Sequence, residues 1–136
     1  PVSLIQFEAT APMALPAVMK AASDEDWPAI VHNREIEVIK VLNVINPVAA
    51  FVTAGFEQYG DRFSEVLKEE WQDTQEQLGK ALKMYESCKQ RQGDGKFDKK
   101  LALDMEETWQ LLVKTGVAGV RSKAMVEAEV RRLTGA

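Results

Sequence analysis

Across residues 27–133 apolar side chains return every third or fourth position, and that spacing builds helices with one buried face. A first stripe runs through Trp27, Ile30, Val31, Val38, Val41, Leu42 and Ile45, with Asn33, Glu37 and Lys40 roughly opposite, and Val48, Phe51, Val52 and Phe56 resume it. A second, near-heptad stripe holds Phe63, Val66, Leu67, Trp71, Thr74, Leu78, Ala81, Leu82, Tyr85 and Cys88, with Glu65, Glu69, Asp73 and Glu76 outside it. A third continues through Leu101, Met105, Trp109, Leu112, Val113, Val117, Val120, Val126, Val130 and Leu133. A helix with one such face must bury it against others.

The punctuation between the stripes places the helix ends. Asp24 or Asp26 suits an N-cap, and Pro28 falls in the first turn, where its missing N–H costs nothing. Asn46-Pro47 is expected to end or kink the first helix, or to let it run on bent to about Tyr59. Gly60-Asp61 has the form of a stop followed by a new cap, Gln92-Gly93-Asp94-Gly95 is the strongest loop signal, and Asp98 can cap the helix after it. Gly116 and Gly119 leave the last stretch open to two readings, one long helix or two, and equally suit close approach by another helix. Residues 1–16 differ: Pro1, Pro12 and Pro16 oppose a regular helix, while Val2, Leu4 and Phe7 suit an apolar groove. The pattern predicts an all-α, up-and-down bundle of four helices over residues 17–136, behind an extended arm over residues 1–16. Its expected core includes Trp27, Leu42, Phe63, Leu67, Leu78, Leu82, Trp109 and Leu112.

With 136 residues the chain can close one core without staples. A formal net charge of -4 gives no general attraction to nucleic acid or an anionic membrane. The most apolar stretch, residues 38–56, is interrupted by Lys40, Asn43, Asn46 and Pro47, so no membrane-spanning segment is expected. A lone cysteine, Cys88, excludes an intramolecular disulfide within these residues and a thiolate-based zinc site. The opening on Pro1 suits a mature chain whose targeting segment has been removed.

Residues that carry chemistry are few. His32 and Glu35 form an H-x-x-E pair, but a di-iron bundle needs a second such motif and further inward carboxylates. Cys88 on an apolar stripe reads as a small buried hydrophobe. The loop from Gln92 to its capping Asp98 lacks the ligands of a calcium site at its first and last positions. The expectation is therefore no catalytic residue, cofactor or metal. One charge feature rises above this background: Lys89, Arg91, Lys96, Lys99 and Lys100 gather around the loop, against Asp94 and Asp98. Those at the C-terminal end of the preceding helix complement its dipole on a solvated loop; as a group the five form a basic tip able to orient an acidic chain on an acidic partner.

The segment Asp26-Trp27-Pro28-Ala29-Ile30-Val31-His32-Asn33-Arg34 resembles the Trp-Pro helix opening of the PsbQ-type extrinsic subunits of photosystem II, algal and diatom forms included. The resemblance covers mainly residues 18–45 and carries over only Trp27 and Pro28; the Asn46-Pro47 break and the long last helical region depart from it. It implies a non-catalytic protein, monomeric when free and peripheral in the thylakoid lumen. Such a protein docks on photosystem II subunits and stabilises the oxygen-evolving centre. The competing class is a bacterial or viral helical assembly protein, cytoplasmic or surface-coating, that self-associates.

Overall fold

A computed structural model describes residues 23–135 of the chain, and the expected N-terminal arm lies outside them. The described residues form three antiparallel helices: α1 (Trp27–Tyr59), α2 (Glu65–Gly93) and α3 (Lys99–Thr134), with short 3₁₀ turns at Asp24–Asp26 and Gly60–Arg62. The all-α class is as expected. The helix count among the described residues is three rather than four, because α1 does not stop at Asn46-Pro47 and α3 does not divide at its glycines.

Each continuation has a packing cause. Pro47 is exposed while Ile45, Val48 and Val52 are buried, so the carbonyl that loses its helical donor faces solvent and the apolar face stays in register. Gly116 and Gly119 sit buried in a mid-bundle layer of small side chains with Ala49, Thr74 and Thr115. The cavity there is only about 10 Å³, at the lower limit for a single water. Thr74 and Thr115 satisfy their hydroxyls on their own helices, at Glu70 O (2.8 Å) and Leu111 O (2.7 Å). The caps also differ in detail. Ser64, not Asp61, caps α2 by accepting from the Leu67 N–H at 3.2 Å, since the Gly60–Arg62 turn intervenes. At the chain's first described turn the Ser23 N–H donates to the Asp26 carboxylate at 3.0 Å.

The last helix is the spine. It packs along both α1 and α2, whereas α1 and α2 approach each other closely at few positions. Two apolar clusters result. One joins Trp27, Val31, Val38, Val41 and Ile45 to Ala81, Cys88, Leu101, Met105, Trp109 and Leu112. The other, at the far end, holds Val52, Phe63, Leu67, Trp71 and Val126. There Phe56 meets Phe63 edge-on (centroids 5.0 Å) and stacks with Trp71 (6.4 Å). Of the expected core, Trp27, Phe63, Leu67, Trp109 and Leu112 are buried, Leu42 and Leu78 are half-buried, and Leu82 is 43% exposed. Leu82 lies at the margin of its stripe, where a fourth helix would have been needed to cover it.

A tighter helix approach than the one at Gly119 lies at Gly55. A Cβ there would stand 2.6 Å from Val126 Cγ1, while one at Gly119 would meet Val48 Cγ1 at an ordinary 3.5 Å. Gly55→Ala gains about 1 kcal/mol of helix propensity but overpacks a contact at a cost of about 1–3 kcal/mol. It should therefore lower the melting temperature in the wild-type background and become neutral or stabilising in a Val126→Ala background. The same loss in both backgrounds would mean that this contact is not the constraint.

Candidate docking surface

The turn between α2 and α3 is built by local hydrogen bonds. The last turn of α2 is closed by Asp94 N to Gln90 O (3.0 Å), Gly95 N to Gln92 O (3.0 Å) and Lys96 N to Arg91 O (2.9 Å). Gly95 has φ +73°, the left-handed region in which a side chain is strained, so the turn requires glycine there. Asp98 then caps α3, accepting from the Leu101 N–H at 2.8 Å as the sequence predicts. Phe97 is half-buried against the upper cluster and anchors the turn.

The five basic residues expected at this tip have unequal environments. Arg91 is drawn inward: its Nη1 lies 2.9 Å from Asp104 Oδ2 and its Nη2 donates to Cys88 Sγ at 3.6 Å. Burial is the largest single influence on Arg91 and lowers its pKa, but the hydrogen bonds and charges of Asp104 and Cys88 together outweigh it and raise it. Lys100 joins the same carboxylate at 3.3 Å while remaining largely exposed. Lys89 lies over the Tyr85 ring at 5.3 Å. Lys96 and Lys99 are exposed and make no ion pair among the described residues.

Topology adds a feature that charge counted along the chain does not show. Glu35 of α1 accepts from Tyr85 Oη at 3.0 Å and from Gln92 Nε2 at 3.2 Å. This fixes α1 beside the end of α2, and α1 begins about 12 Å further on toward the turn. The acidic Asp24–Asp26 turn therefore shares this end of the bundle with the basic loop. Those acids are tied locally: Asp24 accepts from Trp27 Nε1 at 3.2 Å and Asp26 from Ser23 N. The end of the bundle is thus mixed in sign, with Lys96 and Lys99 as its unpaired cations among the described residues.

The remaining candidates fall where packing puts them. His32 is exposed, while Glu35 one turn on points to α2, so the H-x-x-E pair is divided between solvent and seam. Cys88 is fully buried; burial pushes its thiol pKa up, and Arg91 and Thr108 only partly oppose this. A thiol held protonated is a poor nucleophile. No group of histidine, cysteine and carboxylates able to hold a metal occurs among the described residues. Glu65, Glu69, Glu70, Asp73 and Glu76 form a solvated face, and Trp27, Trp71 and Trp109 are all core.

An ion pair that the sequence does not signal lies deeper. Arg34 Nε stands 2.9 Å from Glu106 Oε2, with side chains 13% and 3% exposed, and the Arg34 guanidinium sits 4.5 Å over the Trp109 ring. The pair is close without alignment for an N–H···O bond, and Glu106 Oε1 also accepts from Gln110 Nε2 at 3.2 Å. Helical periodicity shows both residues only as polar interruptions near apolar stripes, which is why the pairing is not legible there.

Comparison with known proteins yields no family model, no curated protein and no solved structure that matches the chain.

Burial raises the Tyr85 pKa from 10.0 to about 12, with the Glu35 hydrogen bond adding to it. The phenol is neutral when protonated, so between those values the folded protein holds a proton that the unfolded chain has lost. This contribution is fully present below pH 10.0 and is lost as pH rises toward about 12. Urea melts across that interval should show a falling midpoint for the wild type and a shallower fall for Tyr85→Phe. Equal slopes would remove Tyr85 from the α1–α2 linkage.

Proposed function

We propose that the protein is a non-catalytic docking subunit of the photosystem II extrinsic type, peripheral on the lumenal face of the thylakoid. It engages an acidic surface of the complex through its α2–α3 turn. The observation that carries the reading is the pair Lys96 and Lys99, exposed and unpaired among the described residues on a turn held by its backbone hydrogen bonds, the Asp98 cap and the Arg91–Asp104 bridge. Charge presented on a rigid element orients a partner without an ordering cost, and such contacts are screened by salt. The Trp27-Pro28 helix opening and the all-helical fold agree with it.

A second reading, a helical assembly protein that self-associates, draws on the apolar side chains that α1 exposes, Ile36, Ile39 and Phe51. By length and composition alone α1 is also apolar enough to cross a membrane: an 18-residue window has mean hydropathy 1.6, with 28% of it buried in the bundle. Its packing against α3 uses the buried part of that same helix.

The test is rebinding to photosystem II membranes stripped of extrinsic subunits, beside a thermal melt. The native protein should bind and be released by salt. Lys96→Glu with Lys99→Glu should weaken binding by about 1–2 kcal/mol, a factor of about 5–30, with the melting temperature unchanged. Undiminished binding by the double variant removes the basic turn from the mechanism, and no binding by the native protein removes the photosystem reading.

A further inference from the structure

The solvent faces of the three helices differ in charge. Those of α2 and α3 carry charges along their length, as at Glu69, Glu76 and Lys83 on one and Glu107, Lys114 and Arg121 on the other. On α1, residues 41–56 contain no charged side chain. The outward row there is Asn43, Pro47, Ala50 and Ala54, with Asn46 and Phe51 beside it, all exposed. Only 28% of the most apolar 18-residue window of this helix is buried in the bundle, so packing against α3 leaves most of that surface uncovered.

Two charges bound the stretch, and they have opposite signs. Lys40 stands at its N-terminal end with its side chain 63% exposed. Glu57 stands at its C-terminal end, exposed and without an ion-pair partner among the described residues. Lys123 reaches the face from α3, 5.0 Å over the Phe51 ring, but it is paired with Glu127 at 3.0 Å and so adds no net charge. The midpoint between Lys40 and Glu57 lies between Val48 and Ala49. Turned end for end about that midpoint, the face complements itself: Lys40 of each copy falls level with Glu57 of the other, Asn43 with Ala54, and Pro47 with Ala50. Laid the same way round, two copies would set lysine on lysine and glutamate on glutamate, which is repulsive at both ends.

We propose that α1 pairs with α1 of a second copy of the chain, antiparallel, about a two-fold axis at the level of Val48 and Ala49. The pair goes beyond the docking assigned to the α2–α3 turn, and it replaces the monomer that the photosystem resemblance implies. Charge fixes its sense, because the antiparallel arrangement alone places opposite signs together at both ends. Shape permits it: Pro47, Ala50 and Ala54 are small enough for two helices to approach at the usual packing distance of about 8–10 Å. Ile36 and Ile39, 40% and 44% exposed, extend the apolar area beyond the lysine. Symmetry then limits the assembly to two, since both copies use the same patch and none is left to recruit a third. One helix face per copy is small beside the roughly 1,200–2,000 Å² of stable complexes, so the pair should dissociate on dilution.

The test is sedimentation equilibrium of the full chain over a range of concentration, with circular dichroism on every variant. The mass of the native chain should rise from one copy to two and no further. Lys40→Glu and Glu57→Lys, both at exposed positions, should each weaken pairing roughly tenfold, because each turns two attractive contacts into repulsive ones. Mixed together, the two single variants should pair with each other in preference to themselves, and the double variant should regain native affinity. Neither substitution touches Lys96 or Lys99, so failure of the pair and failure of turn docking are read separately. A native chain that stays monomeric at every concentration overturns the proposal, whether its face is left free, covered by its own residues 1–22 or taken up by lipid vesicles. Growth beyond two copies overturns it as well. So does preferred pairing of Lys40→Glu with the native chain, the signature of a parallel pair, or single variants that pair as well as the native chain.

Discussion

Arg34 and Glu106 set the terms on which the rest of the bundle packs. A carboxylate 3% exposed between helices is costly unless a cation meets it, and Arg34 is the cation that does, from the facing helix at 2.9 Å. Sliding α1 against α3 by a single turn would separate the charges and leave both buried. Hydrophobic contacts tolerate such slippage, since Val31, Val38, Val41 and Ile45 would find other apolar neighbours; an ion pair does not. Its placement over Trp109 adds a contact that depends on the same alignment. Register, more than net stability, is what a buried pair of this kind supplies.

With α1 fixed on α3, the remaining contacts fall into place in order. Val126 reaches the bare backbone at Gly55, where any side chain would intrude, and the lower aromatic group of Phe56, Phe63 and Trp71 closes around it. The upper end is tied across by Glu35 to Tyr85 and Gln92, and by Arg91 to Asp104. These polar ties hold the C-terminal end of α2, whose close approaches to α1 are few. They also position the Gly95 turn, so the proposed docking end of the molecule inherits its rigidity from pairs lying one or two turns below it.

Helix class and most boundaries are legible in the sequence because period and capping are local. The stripe through Phe63, Leu67 and Trp71 and the Asp98 cap need only neighbours three or four residues away. The fate of Asn46-Pro47 is not local: whether a proline stops a helix depends on which way it faces, and here it faces solvent. Leu82 departs from its expected burial for the same reason, since its stripe position gives a direction and not a neighbour. The basic loop is visible as a cluster in sequence, but the Asp24–Asp26 turn that shares its end of the bundle, and the Asp104 carboxylate that takes up Arg91 and Lys100, require the topology. The Arg34–Glu106 pairing joins residues far apart in sequence and carries no local signature.

The measurement that bears most directly on the role of this pair is a double-mutant cycle in urea with Arg34→Met and Glu106→Leu. Breaking the pair from either side should leave an uncompensated buried charge and cost about 3–5 kcal/mol, while the double variant, apolar on both sides, should cost far less than the sum of the single losses. Single effects that add to within about 0.3–0.5 kcal/mol would show that the two side chains do not act as a pair and would contradict their role in setting the register.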